Sequence, residues 1–188
     1  MIDMLGTALS KRKLSVKVQT IATVSAVAAA IALPQIFHLM GSMSGLGTSL
    51  GEIFLPMHLP IILVGLLAGP YAGAISGLFS PLLSFWLTQM PTAAMLPFMM
   101  IELCIYGLCA GMLRGTRMPT ILKVLIAQLI GRGIRAIAIV TAFYAFGSSI
   151  PVAVIWNSIA KGIIGLVLQW SLLPLIVYRV ERLEKNEQ

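Results

Sequence analysis

The residues of this chain that could do chemistry are ionisable side chains set inside apolar sequence. Glu102 lies in MLPFMMIELCIYGLCAGML, and Tyr106 follows at i+4, on the same helical face. Gln128, Arg132 and Arg135 stand at i, i+4 and i+7 of the next apolar stretch. Asn157, Lys161 and Gln169 share a face of the last one, with Gly165 completing its four-residue spacing. A charge at the centre of a bilayer costs at least about 2.5–3.5 kcal/mol unless it is paired or hydrated. Counted at 1.5 Å per residue from the expected helix ends, Glu102 and Lys161 are each roughly 14–15 Å deep, Arg135 roughly 17 Å and Arg132 roughly 21 Å. Three cations then face one carboxylate. Glu102 could pair with Lys161 or Arg135 and lock a bundle, leaving Arg132 to reach an interface. Alternatively, a water-filled cavity awaiting an anionic ligand accounts for the surplus, because guanidinium offers a planar fork that matches a carboxylate or phosphate. Tyr106 and Asn157 neighbour the charges and are candidate polar ligands. His58, between Pro56 and Pro60, is a further candidate, although a histidine so placed serves equally as a structural hydrogen-bonder.

Other chemistries find no residues. His38 and His58 are the only histidines, and there is no HExxH or GxSxG motif. No glycine-rich phosphate loop with Lys-Ser/Thr occurs, so ATP hydrolysis by this chain is not expected. Cys104 and Cys109, five residues apart in one apolar stretch, read as buried thiols and not as a disulfide or metal site. Neither a cofactor nor a metal is expected.

The elements that must position these groups follow from composition. Of 188 residues, 59% are hydrophobic and 10% charged, against about 25% charged in a soluble domain. The chain is therefore an all-α integral membrane protein, a single membrane domain over 1–188. Six transmembrane helices are expected, at about 18–40, 55–68, 70–88, 93–113, 120–146 and 151–178, with a tail at 179–188. Ala22, Ala26 and Ala30 give the first a small-residue face, and Pro34 is expected to kink it. The connection 41–54 carries Gly45, Gly47, Gly51 and Glu52 and reads as a flexible loop suited to a lid. The second span is short, with an irregular end at Pro56 and Pro60. Gly65, Gly69, Gly73 and Gly77 recur every fourth residue, which predicts tight helix packing.

Charge sets orientation. Lys11, Arg12, Lys13, Lys17, Arg114, Arg117, Lys123, Arg179, Arg182 and Lys185 fall on one side of a six-span arrangement, and the other 3 of the 13 basic residues lie within spans. The positive-inside rule then puts both termini in the cytoplasm. The formal net charge of +7 does not imply nucleic acid, since no continuous basic face remains to track phosphates.

Six short spans, the Ala22–Ala26–Ala30 face, the glycine-rich connection and the segment MHLPIILVGLLAGPYAGAISGLFSPLLSFWLTQMP…MLPFMMIELCIYGLCAGML (57–113) together resemble a known family. They are similar to the substrate-binding S component of energy-coupling-factor (ECF) vitamin transporters, over most of residues 18–178. The resemblance implies a subunit of a bacterial cell membrane that captures a water-soluble vitamin from outside. It would dock on a transmembrane coupling protein and two cytoplasmic ATPases, which drive uptake. By position, Ala22, Ala26 and Ala30 would contact the coupling protein, and 41–54 would be the gate. The outer halves of the last three spans would hold the vitamin. Among the branches of the family the chain looks most like the pantothenate-type group, and the cationic surplus agrees with a small carboxylate. Pyridoxine, hydroxymethylpyrimidine and cobalamin stay open. A structural or regulatory subunit that binds no small molecule is the alternative from another class. An independent ion-coupled carrier would need inverted repeats, and none is visible.

Overall fold

The computed structural model describes residues 14–47 and 49–186. Lys11, Arg12 and Lys13 of the basic collar, and Thr48 of the connection, lie outside the described residues. The described elements are all helices: α1 (Val16–Met43), α2 (Ser49–Phe54), α3 (His58–Ala68), α4 (Pro70–Thr88), α5 (Leu96–Leu113), α6 (Thr120–Phe146) and α7 (Ala153–Asn186). Five stretches are long and apolar enough to cross a membrane: α1, α2 with α3 as one 20-residue run, α5, α6 and α7. Helix α4 has 19 residues, about 28 Å of rise. Its Gly, Ser and Pro residues lower its hydropathy and set it apart.

Why each helix starts and stops is local. The Ser15 side chain caps α1 by accepting from Val18 N. Gly69 takes φ 109° between α3 and α4, and Pro70 follows as the first residue of α4, where its missing N–H is not needed. Between α2 and α3, Pro56 disfavours helical backbone at Leu55, which turns to φ 49°. The connection therefore differs from the loop expected over 41–54. Residues 41–43 belong to α1 and Ser49–Phe54 is helical, leaving turns at 44–47 and 55–57. The α5 helix begins at Leu96, three residues later than expected, so Glu102 lies only about 9 Å from its helix end.

In lipid there is no hydrophobic drive between helices, and close backbone approach takes its place. The α4–α5 hairpin is built this way. Gly73 and Gly107 face each other so closely that a Cβ on either would overlap the other's backbone. Gly77 packs in the same manner on Leu103, and Gly111 on Pro70. Ser76 and Ser80 are buried in α4, and each hydroxyl donates to the carbonyl four residues back, at 2.7 and 2.6 Å. Their polarity is thereby satisfied inside the helix. The apolar centre gathers Ile61, Ile62 and Leu66 of α3, Leu103 and Tyr106 of α5, Val124 of α6 and Leu173 of α7.

Candidate functional site

Glu102 is 1% exposed, and both its oxygens are used. Oε1 accepts from the Tyr106 hydroxyl at 2.8 Å, and Oε2 from Arg135 Nη1 at 2.9 Å. Gly131 makes this possible, because a Cβ there would overlap the Tyr106 ring. A buried carboxylate needs such donors to offset its desolvation. The His58 ring lies 5.4 Å from that of Tyr106, and His58 is buried in the first turn of α3. Around this centre several buried nitrogens have no hydrogen-bond partner among the described residues: His58 Nδ1, Arg135 Nε, and both Nε and Nη1 of Arg132. A cleft between α6 and α7 opens beside them, lined by Arg132, Arg135, Ala136, Ile139, Ile155, Ser158 and Ile159. Its volume of about 20 Å³ holds about one water molecule.

Two expected members lie elsewhere. Lys161 does not face Glu102; its ammonium bonds Glu52 of α2 at 2.7 Å, with the two side chains 60% and 53% exposed. Asn157 is exposed on the same side of α7. The helical phase explains both: Ser158, one residue on, is the polar side chain that α7 turns to the cleft. In the connection, Gly45 and Gly47 adopt φ 75° and 56° in the turn, and Gly51 packs on the His38 ring. The face of Ala22, Ala26 and Ala30 packs within the chain, with Ala22 half-buried at its edge. Ala26 and Ala30 are 7% and 0% exposed, and Ala26 packs with Val64, Ala68 and Ala72.

Sequence reasoning missed a polar chain from Trp170 through Gln128 and Gln169 to the α2–α3 break. Two amides in apolar helices had signalled it, since each needs a partner there. Ser158 carried no signal beyond its hydroxyl. The described residues hold no group of three or more potential metal ligands.

The fold and site thus define a membrane protein whose helices bury a cation-rich polar centre beside a small cleft. Residues 16–177 match the family described as ECF transporter, substrate-specific component, and the chain belongs to that family. Membership makes it a substrate-binding transport subunit that associates with an ECF module and is not itself the ATPase. No curated protein and no solved structure matches the chain.

Proposed function

We propose that this S component captures a small, water-soluble monoanion, and that the anion is the vitamin pantothenate. The observation that carries the reading is Arg132. Inside the bundle Glu102 is matched by Arg135, and at its exposed surface Glu52 is matched by Lys161. Arg132 stands beside the matched pair with two buried guanidinium nitrogens unsatisfied. An incoming carboxylate would complete it with charge-assisted hydrogen bonds, and Ser158 and His58 offer further polar contacts to hydroxyl or amide groups. A neutral vitamin would leave Arg132 as it is.

On this reading the chain crosses a bacterial membrane six times, α4 included, with both termini cytoplasmic. The Glu102 end of the bundle faces outside. The segment 41–54 is the gate, its turn flexed at Gly45 and Gly47 and its helix carrying Gly51 and Glu52. The coupling protein would reach the Ala22–Ala26–Ala30 face only if α1 yields its contacts with Val64, Ala68 and Ala72.

The test is a thermal-shift screen of the purified protein in detergent. A ligand that binds only the folded state raises the midpoint by mass action. Pantothenate should raise it, and pantothenol, its neutral alcohol, should not. Equal shifts with both would remove the anion requirement. A shift with pyridoxine, hydroxymethylpyrimidine or cobalamin alone would replace the ligand and keep the transporter role.

A further inference from the structure

Gln128, Gln169 and Trp170 form a hydrogen-bonded relay between α6 and α7 whose direction is fixed by chemistry. The Trp170 indole N–H can only donate, and it donates to Gln128 Oε1 over 2.6 Å. Gln128 must therefore turn its amide nitrogen toward Gln169, whose Oε1 accepts over 2.8 Å. That leaves Gln169 Nε2 as a donor, and it bonds the backbone carbonyl of Leu55 at 3.2 Å. A donor-only group at one end and a carbonyl at the other allow each amide one orientation.

Leu55 is where α2 stops. Its carbonyl also accepts from His58 N at 3.1 Å, closing the turn that begins α3. The same point is seated in a notch on α7. A Cβ at Gly162 would stand 2.8 Å from Leu55 Cδ1, and one at Gly165 would stand 2.6 Å from the Phe54 backbone. At Gly165 no side chain but hydrogen leaves room for the α2 backbone, and at Gly162 a larger residue would have to displace the Leu55 side chain. Helix α2 also meets α1, with the Phe54 ring 5.0 Å from that of Phe37 and Gly51 against the His38 ring, while its ion pair from Glu52 to Lys161 is solvent-exposed, and such pairs hold weakly and yield to salt. Helix α2 is therefore held firmly at its Leu55 end and loosely at Glu52. Gln128 lies seven residues from Arg135, about 10 Å along α6, so the pinned end sits within two helical turns of the charged centre.

We propose that Gln169, oriented by Gln128 and Trp170, is a positioning residue that pins a hinge at Leu55–Met57, about which α2 swings to open the substrate site. The inference rests on reading 41–54 as the gate. The relay sets where the gate bends, and the Glu52–Lys161 pair sets only how easily it lifts.

The test measures the α2–α7 distance directly and needs no vitamin. The full chain carries Cys104→Ser and Cys109→Ser, with spin labels at Ser49→Cys and Ala160→Cys, both exposed positions, and is reconstituted in lipid nanodiscs. The parent should show one distance. Gln169→Leu should add a longer one, lowering the docked-to-undocked ratio about threefold to tenfold, as expected for one buried hydrogen bond. Trp170→Phe keeps an aromatic side chain but loses the indole N–H with the five-membered ring that carries it, and since Gln169 is retained it should shift the ratio the same way by less. A single unchanged distance in Gln169→Leu, with a lowered melting midpoint, would make the relay bundle glue and overturn the hinge. So would a Glu52→Gln protein that opens α2 while Gln169→Leu does not. Should Gln169→Leu fail to fold, Trp170→Phe decides in its place. The gate reading is scored separately, by adding saturating pantothenate to the Gln169→Leu protein. Collapse of the longer distance supports the gate, and no change removes it even where the relay has passed.

Discussion

Replacing Arg132 by Gln separates a ligand-binding cation from a structural one. Two guanidinium nitrogens of Arg132 have no hydrogen-bond partner among the described residues, so the substitution removes no internal hydrogen bond from them there and relieves the desolvation of a charge without a contacting counter-ion. The melting midpoint of the substrate-free protein should hold or rise. Binding should suffer instead. A hydrogen bond to a charged group is worth about 1.5–3 kcal/mol, which converts to roughly a 10- to 150-fold rise in Kd at 1.4 kcal/mol per decade. Arg135→Gln is the matched contrast. It removes the cation that touches Glu102 and leaves Tyr106 as its hydrogen-bond donor among the described residues, and stranding one partner of a buried pair costs about 3–5 kcal/mol. Its midpoint should fall even without ligand. Isothermal titration with pantothenate and thermal unfolding in the same detergent read both quantities. The reasoning fails if Arg132→Gln destabilises the protein as much as Arg135→Gln while Kd is unchanged. Both arginines would then be parts of the bundle, and the cationic surplus would need another cause.

Two further expectations concern packing. Gly107→Ala puts a methyl group into the Gly73 backbone, so it should drive α4 and α5 apart and lower the melting midpoint; Gly133→Ala, which faces open space, is the control and should not. Ala26→Leu overfills the contact with Val64, Ala68 and Ala72, at about 1–3 kcal/mol by thermal unfolding; an unchanged midpoint with lost uptake would instead assign that face to the coupling protein.

How much of this was legible follows from what each signal measures. Hydropathy reports on burial in lipid, so the apolar stretches stood out wherever their composition was simple. Pro70 and Gly69 marked the α3–α4 junction to the residue, because a proline start and a positive-φ glycine are local requirements. The four-residue glycine spacing announced close packing, which Gly65, Gly73 and Gly77 show against α5, while Gly69 between them serves the α3–α4 turn. Helix α2 was not legible. Six residues are too few to hold a helix on their own, and they fold here against α7, whose Gly162 and Gly165 notch is more than a hundred residues away in the chain. The break at Leu55 was half visible, because Pro56 dictates that a helix stops there but not that another has already begun.

The charged centre shows the same division between local and distant causes. Spacing placed Tyr106 beside Glu102, and the hydrogen bond between them spans one helical turn. Spacing also listed the cations able to reach Glu102, yet could not choose among Lys161, Arg135 and Arg132. The choice depends on how α6 and α7 are rotated about their axes, and that rotation is set by contacts outside the site. On α6, Gly131 admits the Tyr106 ring and so turns Arg135 inward. On α7, Gly162 and Gly165 must face α2, which carries Lys161 toward Glu52 and presents Ser158 to the cleft instead of Asn157. Glycines that do no chemistry therefore decide which arginine neutralises the carboxylate and which one stays beside it with unsatisfied nitrogens.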